Sequence, residues 1–313
     1  MKKISVIVTC YNEEENIIPL YERLQKVFKK ILYRYEIIYV DNDSTDNSLQ
    51  IFKNLAKKDR AVKVIIMSRN FGSPQPSFVA GLKHSTGDAI VLLHGDIQDP
   101  PELIPKFIKY WEKKYDVVYG IRTDRKGTGL IYNFLYKAFY HVLKKLSYID
   151  IPLHAGEFSL FDKKIKKELM QFKEFDYYLR ALRSYVGFKQ IGIPYIRDAR
   201  IHGKSTENFF KSLWWAKTII INFSLKPLEW ISKVAFAVML LAFLYMAGSI
   251  ISVFVFKNSP TGIPTIVVLI LFLGGIQLLS LSIIAEYLAK IFIEIKGRPR
   301  YIIKKTYNLH SEK

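Results

Sequence analysis

Two stretches, Val234–Phe256 and Ile263–Ala285, contain no charged side chain. Each exceeds the roughly 20 apolar residues that cross the hydrocarbon core of a bilayer. A soluble domain would have to bury both helices on every face, so the pattern predicts two membrane-spanning helices. Lys211, Lys217, Lys226 and Lys233 precede the pair, and Lys290, Lys296, Arg298, Arg300, Lys304 and Lys305 follow it. The linker 257–262 holds one lysine. The bias of cationic loops toward the cytoplasm then predicts a multi-pass protein of the cell (inner or plasma) membrane, with both termini inside and the linker outside. Glu286 lies only at the end of a span, which disfavours a small-solute transporter, since such proteins place polar groups within the membrane.

The chain before these stretches has a different texture. Short β-branched runs, Ile4–Thr9, Glu36–Asp41, Val62–Met67, Ala89–Leu93 and Val117–Ile121, alternate with amphipathic stretches at Asn16–Lys29, Asn47–Lys57, Phe78–His84 and Glu102–Lys113. This alternation predicts an α/β domain with a mostly parallel sheet and helices on both faces. Beyond it, helices are expected near 129–146, 163–172 and 178–186, and strands near 158–161 and 190–195. Residues 207–229 mix Phe209, Phe210, Trp214 and Trp215 with lysines, which suits an interfacial amphipathic helix. The expected division is a catalytic domain over 1–205, juxtamembrane amphipathic helices over 206–230, two spans within 231–290 (about 234–256 and 263–285) and a basic cytoplasmic tail over 291–313. The run Ile4–Thr9 is too short for the apolar core of a signal peptide.

The formal net charge of +19 fits an anionic membrane surface or phosphorylated substrates. No nucleic-acid-binding module is recognisable, so nucleic acid is not an expected partner. Cys10 is the single cysteine, which excludes an intramolecular disulfide and any cluster held by cysteines alone.

Open α/β sheets bind ligands at the carboxyl ends of their strands. Four polar clusters follow four of the runs: Tyr11–Glu14, Asp41–Asp46, Ser68–Gly72 and Asp96–Asp99. Asp96, just past a buried strand, can hold a divalent cation that bridges to a diphosphate. Asp99 before Pro100 reads as a helix N-cap. Asp41 can accept hydrogen bonds from a nucleobase imide or a ribose hydroxyl, while Ser44, Thr45 or Asp46 can cap the next helix. Arg69 can meet phosphate or pair with a site carboxylate.

Taken together, these segments resemble the family 2 glycosyltransferases of the GT-A fold, in particular the polyprenyl-phosphate glycosyltransferases related to dolichol-phosphate mannose synthase. The resemblance runs through Tyr11-Asn12-Glu13, Val40–Ser48, Ser68–Gly72, Asp96–Glu102, Ala155–Leu160, Tyr185–Phe188 and Tyr195–Ser205. It ends with the two spans and Gly297-Arg298-Pro299. It implies a donor pocket that includes Tyr11, Glu13, Asp41, Arg69, Gln98, Arg197 and Ser205. It implies a catalytic set of Asp96, Glu157 and Arg200, and a Mg²⁺ or Mn²⁺ ion on Asp96 with Gln98 close by. Arg197, Arg200 and Ser205 would lie in the segment that closes over the diphosphate and the acceptor phosphate.

Three positions depart from the family pattern. His94-Gly95-Asp96 stands where Asp-x-Asp is usual, His154-Ala155-Gly156-Glu157-Phe158 where Asp-Ala-Gly-Asp-Phe is usual, and Asp43 where a glycine is usual. His94 is thereby a candidate metal ligand that would shift preference toward Mn²⁺, or else a hydrogen-bonded structural residue. The implied partners are a nucleotide-sugar, a polyprenyl phosphate and membrane lipids. The implied reaction is inverting transfer at the cytoplasmic face. UDP-hexoses or UDP-N-acetylhexosamines come first as donors and GDP-mannose second. The rival readings are another lipid acceptor, or a catalytically weak homologue serving as a scaffold. Homo-oligomerisation is compatible with all of them.

Overall fold

The computed structural model describes residues 1–123, 152, 155–198, 220–256 and 262–309. The expected helix at 129–146, His154, Arg200, Ser205 and most of the expected amphipathic stretch lie outside these residues. The described chain falls into two compact units, one built on a sheet and the other on two long helices.

The first unit begins with β1 (Lys3–Cys10), whose residues from Ile4 on are all buried. It is followed by α1 (Glu14–Phe28), β2 (Arg34–Asp41), α2 (Ser48–Lys58), β3 (Val62–Met67), α3 (Gln75–His84) and β4 (Ala89–His94). A short 3-10 turn, Pro101–Leu103, leads into α4 (Ile104–Glu112) and β5 (Val117–Arg122). Then come β6 (Ala155–Asp162), α5 (Lys163–Leu169), α6 (Leu179–Tyr185), β7 (Gln190–Tyr195) and, after the long helices, β8 (Ile303–Tyr307). The strand order is β7-β5-β6-β4-β1-β2-β3-β8. β1 pairs in parallel with both β2 and β4, β2 with β3, and β5 with β7, while β6 and β8 run antiparallel to their neighbours.

Helical periodicity explains the packing. α1 buries Ile17, Leu20, Tyr21, Leu24 and Val27, and α4 buries Ile104, Phe107, Ile108 and Trp111, in each case a stripe spaced by three and four residues. Both stripes join Val6, Val8, Tyr39 and Val91 in one core. α3 approaches β1 and β2 so closely that a Cβ on Gly81 would lie 2.4 Å from Ile7 Cγ2, so only glycine fits there.

β8 departs from the expected basic tail. Ile303–Tyr307 pairs with β3, and the Asn308 side-chain amide donates to the carbonyls of Ala56 (2.6 Å) and Val62 (2.9 Å). Arg300 donates to the Phe172 carbonyl and stacks over Tyr177. The chain that leaves the second long helix is therefore part of the sheet unit.

The second unit contains α7 (Lys226–Phe256) and α8 (Ile263–Ile295). Within them, Lys226–Tyr245 and Leu269–Ile295 are apolar enough to cross a membrane, with mean hydropathy of 1.7 and 2.0. Leu241, Phe243, Ile270 and Leu278 are exposed, which suits helices solvated by lipid rather than packed in a soluble core. Tyr287 donates to the Ser224 carbonyl at 2.7 Å.

At the amino-terminal end of the sheet, Glu36 is 1% exposed and meets Lys3 and Lys63 at 2.6 Å each, along with Ser5 and the Thr86 amide. Burial alone would raise its carboxyl, but these donors outweigh burial and bring it from 4.5 down to about 2. The folded-state value lies below the unfolded one. The network's stabilisation is therefore present above pH 4.5 and is lost as pH falls toward 2. Glu36→Gln should cost about 3 kcal/mol at neutral pH. Urea unfolding of the intact protein in detergent at neutral pH and at about pH 3.5 should show the gap between variant and parent narrowing in acid.

Candidate active site

β1 is the point from which the chain builds outward in both directions, first to β2 and β3 and then to β4. That switch leaves a crevice at the carboxyl ends of β1, β2 and β4. On one side the loops after β1 and β2 latch together. The Asn12 amide donates to Ser44 Oγ (2.9 Å), the Thr45 amide to Asn12 Oδ1 (2.8 Å) and the Glu14 amide to Asp46 Oδ2 (3.0 Å). Asp46 also accepts from the Ser48 amide at the start of α2, although the N-cap position is Asn47, whose side chain makes no cap. Asp41 is buried and accepts from Ser44. Burial pushes its carboxyl up, partly offset by the Ser44 hydrogen bonds. Glu13 caps α1 in position and accepts from Asn16. Tyr11 is 37% exposed, so its ring is available to a ligand. Arg69 stacks over Phe71 at 4.3 Å rather than on a site carboxylate. Asn42 and Asn70 tie the second and third loops together at 3.0 Å.

On the other side, Asp96 is 7% exposed. Its Oδ1 accepts from the Gln98 amide (3.3 Å) and its Oδ2 lies 3.4 Å from Arg197 Nη2. Between Asp96 and Gln98, Ile97 has φ +59. This left-handed conformation strains a β-branched residue and persists only where the surroundings impose it. The Gln98 side chain donates to the Asp198 carbonyl (3.2 Å), and the Asp198 amide donates back to the Gln98 carbonyl (3.1 Å). The segment after β7 is thus clasped to the segment after β4.

Asp99 is not a cap, because the 3-10 turn at Pro101–Leu103 has no side-chain cap and Asp99 is wholly buried. It accepts from the Tyr195 hydroxyl and from Arg197 Nε (3.3 Å), and Arg122 Nη2 stands 3.8 Å away. Arg122 is not among the site residues expected from the sequence, and Asp99 is expected there only as a helix cap. The strand-end rule applied to β5 would have found Arg122. The Pro-Pro context made Asp99 look like a helix start. Gly156 opens the space that Arg122 occupies, since a Cβ there would lie 2.9 Å from its Nη2.

Glu157, near the start of β6, is 7% exposed and meets Arg180 Nε (2.9 Å), Gln75 Nε2 (3.3 Å) and His94 Nε2 (3.6 Å). Burial would raise its carboxyl, but Arg180, His94 and Arg122 prevail and hold it well below the usual carboxylate range. A carboxylate so committed is a weak base and a good anchor. His94 places Nδ1 3.3 Å from Thr9 Oγ1 and its other nitrogen toward Glu157, with its ring edge on Phe78. Both ring nitrogens face protein groups, Thr9 on one side and Glu157 on the other.

Among the described residues no three His, Cys, Asp or Glu side chains converge on a metal position. Asp96 offers a hard oxygen just past the end of β4. A single carboxylate suits Mg²⁺ or Mn²⁺ only where a diphosphate and water supply the other oxygens.

The family described as glycosyl transferase family 2 matches residues 5–170. An uncharacterized glycosyltransferase of Bacillus subtilis (strain 168), YkcC, is 37% identical over 309 residues, covering 99% of this chain and 95% of the relative. An uncharacterized glycosyltransferase of Synechocystis sp. is 33% identical over 307 residues, with 98% and 96% covered. The bactoprenol glucosyl transferase of Shigella phage SfII is 35% identical over 305 residues, with 97% and 98% covered. These similarities extend past the sheet into the two apolar helices and agree with the mostly parallel α/β architecture of the GT-A type, and on them the chain belongs to glycosyl transferase family 2.

Proposed function

We propose that this chain transfers a sugar from a nucleotide-sugar to a polyprenyl phosphate at the membrane, with UDP-glucose as the leading donor and an N-acetylhexosamine or GDP-mannose as the alternatives. One observation carries the reading. Arg197 and Arg122 are held by the buried Asp99 beside Asp96, where the strand ends form the crevice. Guanidinium groups fixed in this way are suited to phosphate oxygens. The names of the bactoprenol glucosyl transferases support the acceptor class, and the two long apolar helices support a lipid-borne substrate.

The chemistry follows from the charges. A phosphate monoester has its second pKa near 6, so the acceptor is largely dianionic at neutral pH. Its oxygen attacks the anomeric carbon, the bond to the nucleoside diphosphate breaks, and no proton has to be removed first. Glu157, tied to Arg180, orients the cationic side of the site instead of acting as a base. Arg197 and Arg122 balance the charge that develops on the leaving diphosphate. A divalent cation on Asp96 would supply further neutralisation there.

Orientation is supported by the sheet itself. β7 precedes the two long helices and β8 follows them, yet both belong to one sheet, so the chain must return to the side it left. Two crossings satisfy this, and the flanking cations favour the cytoplasm for that side.

Purified protein in nanodiscs with UDP-glucose and Mg²⁺ or Mn²⁺ should release UDP only when undecaprenyl phosphate is present. No release from UDP-glucose, UDP-N-acetylglucosamine or GDP-mannose would favour a scaffold. Asp96→Asn should lower turnover on the order of 10²-fold, the scale of losing one strong electrostatic stabiliser. Glu157→Gln should keep measurable turnover, whereas complete loss restored only at alkaline pH would mark it as the base. In intact cells, a cysteine placed at Ser259 should react with an impermeant maleimide while one at Ser311 stays protected; labelling at Ser311 alone would reverse the orientation.

A further inference from the structure

The strand that follows the membrane helices reaches the loop that the proposed donor would occupy. In β8, Lys305 stands opposite Ile66 and Ile303 opposite Met67, so Lys304 is an extra residue without a partner across the ladder. Such a bulge re-aims a side chain and is common beside active sites. Here it sits at the carboxyl end of β3, and its position is fixed from both sides. The Ser68 amide donates to the Ile302 carbonyl at 2.8 Å, and Asn308 holds the far end of the strand. Lys305 turns toward the Tyr307 ring, while Lys304 Nζ lies 3.6 Å from Asp43 Oδ1.

Asp43 occupies the middle of the loop after β2, at φ +63, where glycine would be the unstrained choice. Asp41 ends β2 just before this loop and Asp46 lies within it, and Asn12 and the Glu14 amide latch it to the loop after β1. The negative charges of Asp46 and Asp43 add to burial in raising the Asp41 carboxyl, a sign of the local potential. A nucleoside diphosphate brings further negative charge to this place. A cation beside Asp43 offsets its carboxylate and so favours the entry of an anion.

We propose that Lys304 is a positioning residue of the donor pocket. It holds the Asp43 turn and lowers the negative potential that a nucleoside diphosphate meets, so that the chain beyond the second apolar helix completes the nucleotide site. This rests on the nucleotide-sugar reading above. The pair is solvent-accessible on both sides, with Lys304 64% and Asp43 37% exposed, so its contribution to the fold is small. Its effect belongs to ligand binding and weakens with salt.

The test uses the intact protein in nanodiscs with UDP as the calorimetric probe and GDP for comparison. Lys304→Glu should weaken UDP binding about fivefold at low salt, with a smaller loss at high salt. Lys304→Arg should retain binding. The melting temperature should stay within about 2 °C of the parent, since an exposed pair adds little to stability. In the UDP-glucose assay the KM for donor should rise while kcat at saturation holds. Asp43→Gly removes the partner and suits the left-handed backbone; in that background Lys304→Glu should lose the part of its effect that runs through the turn and keep only the direct charge effect. Unchanged UDP affinity in Lys304→Glu would overturn the inference, as would an equal loss in the Asp43→Gly background. If the wild-type protein bound neither UDP nor GDP, the nucleotide-sugar reading itself would fall, and this inference with it.

Discussion

β1 is hydrogen-bonded on both sides by strands running in its own direction, and it is buried on both faces. Nothing in the site could be where it is without that pairing. The register that sets Cys10 beside Asp41 and Thr9 beside His94 brings the loops after β1, β2 and β4 to one level. The Gly95 amide then donates to the Thr9 carbonyl, carrying the β4 loop over the end of β1. A parallel sheet covered by helices is a rigid, dry platform, and the variable loops at its rim can carry charged groups at fixed spacing.

Those charged groups are kept in balance. Asp96, Asp99 and Glu157 are buried carboxylates, and each faces arginine. Leaving any one of them unpaired in so dry a setting would be strongly destabilising. Arg183 sits at the edge of this arrangement, buried, stacked over Tyr119 and donating to the Gly156 carbonyl. Burial lowers its guanidinium to about 10. The charged groups are therefore fixed by one another. On the function proposed above, an arriving phosphate would exchange partners with an existing ion network and need not order loose side chains.

Much of this was legible in the sequence. The runs at Val62–Met67 and Gln190–Tyr195 coincide with β3 and β7, because β-branched residues between turn signals leave few other options. Asp41, Asp96 and Glu13 sit at strand ends as the α/β rule requires. Features that depend on contacts distant in sequence were hidden. The role of Asp99 is set by Tyr195 and Arg197, about a hundred residues on, and no local pattern distinguishes a buried anchor from a cap. The surroundings of His94 depend on β6 inserting antiparallel beside β4 and bringing Glu157 with it. β8 reads as a basic tail because two adjacent lysines break its alternation, and only the unpaired edge of β3 makes it a strand.

That late strand has a consequence for how the molecule is made. β3 emerges early in synthesis, but its edge partner lies more than two hundred residues further along, beyond both apolar helices. Until residue 307 has left the ribosome, the edge of β3 presents unpaired backbone groups, the kind of surface that invites pairing with a stranger. By chain order, the two hydrophobic helices are complete before that edge can close. The sheet is thus finished only after the two apolar helices exist, and an interrupted chain that lacks them also lacks the strand that seals its own border.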